Sequence, residues 1–117
     1  MKPTNIVLHQ ASNVLEISFE SGETFKLSCE YLRVNSPSAE VQGHGPSQRI
    51  LQLDKHLVRI LAIRPMGNYA ILLEFDDGHR TGIYSWPTLY DLGRNHAHNW
   101  AAYQAEVAHF RASKPAP

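Results

Sequence analysis

The sequence is short of several things, and each shortage removes a class of function. It has one cysteine, Cys29, so no disulfide can close within the chain. A disulfide-stapled secreted scaffold is thereby excluded, and so is a zinc site built from several cysteines of one chain. It has no surplus charge: 11 basic residues offset 11 acidic ones. A neutral chain has no built-in attraction to DNA, RNA or anionic lipid, so neither a nucleic-acid nor a membrane partner is expected. No apolar run approaches the roughly 18 residues of a membrane-spanning helix. The start, Met1-Lys2-Pro3-Thr4-Asn5, lacks the apolar stretch and cleavage site of a signal peptide. The expectation is a soluble, cytoplasmic protein. There is no Gly-Lys-Ser or Gly-Lys-Thr of a phosphate loop, no Gly-x-Ser-x-Gly elbow and no His-Glu-x-x-His. No catalytic constellation is visible.

What is present suits one globular domain. The chain has 117 residues, 43% hydrophobic and 19% charged, too apolar for a disordered chain and too short to split into two cores. The body is expected at residues 5–112. The end, 113–117, carries two prolines and no core-forming residue, and is expected to be a flexible tail.

Period-two alternation predicts strands at Asn5 to His9 and at Val14 to Phe19, where Leu15, Ile17 and Phe19 share a face. Ser21-Gly22 is a hairpin turn, and Thr24 to Leu27 the return strand, with Phe25 and Leu27 inward. Ser28 is placed to cap a short helix from Cys29 to Arg33. The same grammar recurs later. Ala70 to Phe75 is a strand, Asp76-Asp77-Gly78 a turn, His79 to Tyr84 the return, and Ser85 the cap of a helix with Pro87 in its first turn. Leu15-Glu16-Ile17-Ser18-Phe19-Glu20-Ser21-Gly22 thus aligns with Ile71-Leu72-Leu73-Glu74-Phe75-Asp76-Asp77-Gly78. The match is either a duplication or two hairpins alike by chance. Trp100, Tyr103, Val107 and Phe110 recur at three- and four-residue spacing, so a helix is expected over 96–112 with this stripe packed against the core. The fold class that follows is α+β: a small, mostly antiparallel sheet built from hairpins, with short helices and a C-terminal helix packed on it. The expected core is Leu15, Ile17, Phe19, Leu27, Leu73, Phe75, Ile83, Trp86, Leu89, Trp100, Tyr103, Val107 and Phe110.

Two stretches, Leu27 to Gly45 (LSCEYLRVNSPSAEVQGHG) and Asp77 to Leu92 (DGHRTGIYSWPTLYDL), resemble the gamma-butyrobetaine hydroxylase N-terminal-domain-like family. The pattern of hairpin Gly-His, then Ile-Tyr-Ser-Trp, then Leu-Tyr carries the resemblance, which covers about residues 5–94. Such domains occur as small free-standing bacterial proteins, as the N-terminal part of carnitine-pathway oxygenases, and attached to iron–sulfur scaffold ATPases. The resemblance implies a zinc corner of three cysteines and one histidine in the oxygenases. The histidine corresponds to His79, and the cysteine positions to Ser36, Ser38 and Val41. Serine is a poor zinc ligand and valine is none. The oxygenase chemistry belongs to a separate domain, so the resemblance does not imply hydroxylase activity.

The candidate sites follow from these readings. Residues 35–48 are rich in proline, glycine and serine and poor in apolar anchors, which reads as a long loop suited to recognition. The partner-binding candidates are Arg33, Ser36, Ser38, Glu40, His44, Arg49 and Arg80. The metal candidates are His79 and His44, with Glu40 as a third donor. No cofactor is expected; zinc or iron are the metals the seven histidines and the resemblance would suit. Arg33, Arg49, Arg59, Arg64 and Arg80 read as scattered surface charge, and Cys29 as a small buried residue. The first functional reading is a non-catalytic accessory or protein-interaction domain. The alternative is a metal-handling or iron–sulfur-related accessory protein binding metal through His79. An enzyme acting on a small substrate is a third reading.

Overall fold

A computed structural model describes residues 1–113; of the expected flexible tail, 114–117 lie outside the described residues. Two three-stranded antiparallel sheets form, each a simple meander. The first orders β1 (Pro3–His9), β2 (Val14–Phe19) and β3 (Thr24–Ser28). The second orders β4 (Ile60–Met66), β5 (Ala70–Phe75) and β6 (Gly82–Ser85). Each sheet runs directly into a helix: α1 (Cys29–Val34) after the first, α3 (Trp86–Arg94) after the second. The class is α+β, as the patterning predicts.

The internal repeat is structural down to single hydrogen bonds. In both sheets the first strand is irregular near its start, between Pro3 and Asn5 and between Ile60 and Ala62. In both hairpins the turn glycine N–H returns to a phenylalanine carbonyl, Gly22 to Phe19 and Gly78 to Phe75. These glycines have φ of 91° and 88°, a left-handed conformation that a β-carbon would strain. Both helices begin on a serine. Ser28 Oγ accepts the Tyr31 N–H at 3.0 Å, and Ser85 Oγ the Thr88 N–H at 3.3 Å. Such caps are worth about 1 kcal/mol each.

One core serves both halves. Leu15, Ile17, Phe19 and Leu27 from the first sheet meet Ile60, Ile71, Leu73, Phe75 and Tyr84 from the second. The alternation places Ile17 at 0% and Leu73 at 0% exposure. Two buried tyrosines cross between the halves. Tyr31 OH donates to the Leu92 carbonyl and Tyr84 OH to the Leu32 carbonyl, both at 2.6 Å. Burial without these acceptors would leave each hydroxyl unsatisfied, which is costly.

Two expected core residues are exposed, and a third, Val107, is half-buried outside the core. Ile83 is 42% exposed, because its neighbours Gly82 and Tyr84 face inward and strand alternation turns it outward. Phe110 is 39% exposed, because α4 (His96–Ala112) runs 17 residues and only Tyr103 along it is buried. Val107, Trp86 and Trp100 are half-buried. Trp100 leans edge-on against Tyr31 of α1, with ring centroids 6.2 Å apart. The segment expected to be one loop instead contains a single helical turn, α2 (Ala39–Gln42), capped by Ser38, and a 3-10 turn at Pro46–Gln48.

Phe75 is 2% exposed and sits where the second hairpin meets the core. Phe75→Ala is expected to lower the free energy of unfolding by about 3–5 kcal/mol, measured by urea denaturation.

Candidate functional site

The polar centre of the molecule lies where α1 and α2 meet the β5–β6 turn. Arg33, in the last turn of α1, is 7% exposed. Its Nε donates to Asp77 Oδ2 at 2.8 Å, and Lys55 Nζ donates to the same oxygen at 2.7 Å. The other Asp77 oxygen accepts the His79 N–H at 3.2 Å, closing the turn from within. Burial pushes the Asp77 carboxyl up. Hydrogen bonds from Lys55, the His79 N–H and Arg33 outweigh it and hold the pKa at about 2 rather than 3.8. Arg33 Nη1 is buried and meets no hydrogen-bond acceptor among the described residues.

His79, 4% exposed, reaches across to the long segment. Its Nδ1 lies 2.9 Å from Glu40 Oε2, and its Nε2 lies 2.8 Å from Ser36 Oγ. Burial, and then the Arg33 charge, lower its pKa, so the ring is neutral at pH 7. A carboxylate only accepts, so Nδ1 carries the hydrogen and Nε2 accepts from the Ser36 hydroxyl. Ser36 Oγ in turn accepts the Ser38 N–H at 3.2 Å. Ser38 Oγ pairs with Thr81 Oγ1 at 2.6 Å and accepts the Glu40 N–H at 3.2 Å. Gly82 makes this packing feasible: a β-carbon there would stand 2.6 Å from Ser36 Oγ.

The sequence candidates therefore divide in two. Arg33, Ser36 and Ser38 are buried and serve the interior, while Glu40, His44, Arg49 and Arg80 are exposed around them. His44, Arg49 and Gln42 line a shallow hollow on the outer side of the segment. Among the described residues, no group of three or more His, Cys, Asp or Glu is disposed to hold a metal. The arginines do not gather. Arg33 pairs with Asp77, Arg49 with Glu106 and Arg64 with Glu74, while Arg59 binds Gln10. Cys29 is fully buried, and burial pushes its thiol pKa up, away from nucleophilic use. The sequence reading missed Asp77, Lys55 and Thr81 as members of the network. For Asp77 a signal existed: an Asp two residues before His79 in a turn is placed to accept that residue's N–H.

The pattern of the gamma-butyrobetaine hydroxylase-like N-terminal family matches residues 6–90. The chain belongs to this family. Three solved structures resemble it closely. A protein solved by NMR in solution is 52% identical, with a TM-score of 0.81 over 97% of this chain and 84% of that one. A second NMR structure is 44% identical, with a TM-score of 0.78 over 92% and 84%. A crystal structure from Acidithiobacillus ferrooxidans, of a protein of unknown function belonging to the DUF971 family, is 35% identical. Its TM-score is 0.67, over 79% of this chain and 92% of that one. No curated protein matches the chain. Among the described residues, no helix is long and apolar enough to cross a membrane.

The zinc that family resemblance implies does not suit the residues at this corner. Ser36 and Ser38 offer hydroxyls already held by His79 and Thr81, and Val41 is a buried aliphatic residue with no donor. Both ring nitrogens of His79 are occupied by Glu40 and Ser36.

Asp77 sets a pH dependence with a definite sign. Its folded pKa is depressed to about 2, so its contribution is present above the ordinary 3.8 and is lost as pH falls through that interval. Asp77→Asn also leaves the Arg33 charge without its acidic partner. The side chains are 8% and 21% exposed, between a surface and a buried pair, and the variant is expected to lose roughly 2 kcal/mol at pH 7. Urea unfolding at several pH values should show the parent losing this advantage between pH 3.8 and about 2, while the variant's acid limb is flatter there.

Proposed function

We propose that the protein is a non-catalytic accessory domain that recognises a partner protein at the corner formed by residues 35–49 and the β5–β6 turn. One observation supports this above the others. The corner spends its buried polar groups on fixing its own shape and turns a separate set of polar side chains outward. Ser36, His79 and Glu40 stand in the order of a hydrolytic relay, nucleophile to base to carboxylate. Yet Ser36 is 0% exposed and its hydroxyl is committed to His79, so a substrate has no approach to it. A rigid backing with exposed His44, Arg49 and Arg80 favours recognition, because little conformational freedom is lost on binding.

The second reading, a metal-handling or iron–sulfur-related accessory protein, draws on the imidazole of His79 at this same corner. Its weakness is the donor set around that imidazole. One experiment separates the two. Affinity capture from the native cell is run with the parent and with a triple variant, His44→Ala, Arg49→Ala and Arg80→Ala. Zinc and iron are measured on untagged protein. Each substitution is on the surface and should change stability by no more than about 0.5 kcal/mol. The proposal expects loss of the parent's partner in the triple variant and less than one metal per chain. Unchanged capture by the triple variant contradicts it. One tightly held metal per chain, lost in His79→Ala, supports the second reading instead.

A further inference from the structure

A cleft of about 400 Å³ lies away from this corner, between α4, the start of α1 and the segment around Asp54. Trp100 and Tyr103 form its aromatic side, stacked with ring centroids 5.3 Å apart and planes 27° from parallel. Val107 continues that apolar surface one turn along α4. Tyr103 is held still from behind, its hydroxyl donating to the Gln52 carbonyl at 2.6 Å. Two carboxylates, Glu30 and Asp54, and one guanidinium, Arg111, also line it. His56 also borders the cleft.

The carboxylates differ. Asp54 meets Arg111 Nη2 at 3.3 Å, in a pair with side chains 75% and 60% exposed. Exposed pairs of this kind are weak and screened. Glu30 is half-buried and makes no hydrogen bond or ion pair among the described residues. Glu30 stands in the first turn of α1 and lines the cleft together with the stacked aromatic pair, and no cationic side chain meets its carboxylate among the described residues. An unpaired carboxylate beside an apolar surface favours a cationic group carried on an apolar stem. The phenol of Tyr103 reports the same field. Burial raises its pKa first, and the charges of Glu30, Asp54 and Glu106 add to the rise against Arg111 alone.

We propose that this cleft receives a lysine side chain of a partner protein, its methylene stem on Trp100, Tyr103 and Val107 and its ammonium beside Glu30. A lysine combines an apolar stem with a charged head, and the cleft offers those two surfaces in that order. Of the 17 residues of α4 only Tyr103 is buried, so the helix that carries the cleft is open to solvent along much of its length. Arg111 plays the competitor: it neutralises Asp54 and opposes the incoming charge.

The test is an NMR titration of the full chain at pH 8 with the acetylated, amidated tripeptide Gly-Lys-Gly, its norleucine analogue, and n-butylammonium. The expected result is that the lysine peptide shifts the Glu30 and Tyr103 amides and the Trp100 indole signal, while the norleucine peptide does not. Glu30→Gln, which keeps shape and removes charge, should weaken binding at least fivefold. Arg111→Gln should tighten it, an outcome that a purely structural role for these residues would not produce. Equal shifts with norleucine, unchanged binding in Glu30→Gln, or shifts centred elsewhere would overturn the proposal. Tighter binding of n-butylammonium than of the peptide would also overturn it, in favour of a free amine ligand. None of these outcomes bears on the corner at His79.

Discussion

A guanidinium taken out of water must meet a counter-charge, and in this fold Arg33 meets Asp77. The two residues come from opposite halves of the chain: Arg33 stands in the last turn of α1, and Asp77 in the turn between β5 and β6. Their contact fixes the helix of the first half over the hairpin of the second. Lys55 joins the same carboxylate and ties the irregular segment before β4 to the same point. From Asp77 the order spreads through the His79 N–H to the imidazole, then to Ser36 and Glu40. The polar interior of the corner is thus one connected network, satisfied except at Arg33 Nη1, which is buried and meets no acceptor among the described residues.

The hydrophobic core and this network divide the work. Two similar meanders, each ending in a serine-capped helix, supply one shared apolar interior. The halves are then locked by crossed polar contacts: Tyr31 to Leu92, Tyr84 to Leu32, and Asn13 Nδ2 to the Val58 carbonyl at 2.6 Å. At the far side, Phe19, Phe25 and Tyr90 pack edge-to-face, with Tyr90 OH donating to Glu23. A β-carbon on Gly93 would stand 2.4 Å from the Phe25 ring, so α3 approaches β3 through a residue without one. Apolar burial supplies the driving force; the directional contacts choose one arrangement of two nearly equivalent halves.

What was legible in the sequence was local. The serine caps at Ser28 and Ser85, the hairpin turns at Gly22 and Gly78 and the extent of α4 each depend on residues a few positions apart. What was not legible depended on distance along the chain. Arg33 reads as surface charge because its partner lies 44 positions away. Ser36 and Ser38 read as loop hydroxyls because their partners, His79 and Thr81, are 43 positions away. Ile83 was misplaced because β6 is four residues long, too short for alternation to declare its face. Phe110 shares a stripe with Trp100 and Tyr103, but periodicity says nothing of where a helix outruns the core. The one-turn helix α2 is shorter than a period can reveal, although Ser38 capping it is visible once known.

The central claim is that His79 is a neutral hub, donating through Nδ1 to Glu40 and accepting at Nε2 from Ser36, and so holds residues 36–40 against the second hairpin. The ¹⁵N shifts of its imidazole, followed through a pH titration, test this most directly. The account predicts a protonated Nδ1, an unprotonated Nε2 and a midpoint below the ordinary imidazole value of 6.5. A ring protonated at Nε2, or one that titrates at or above that value, would contradict it.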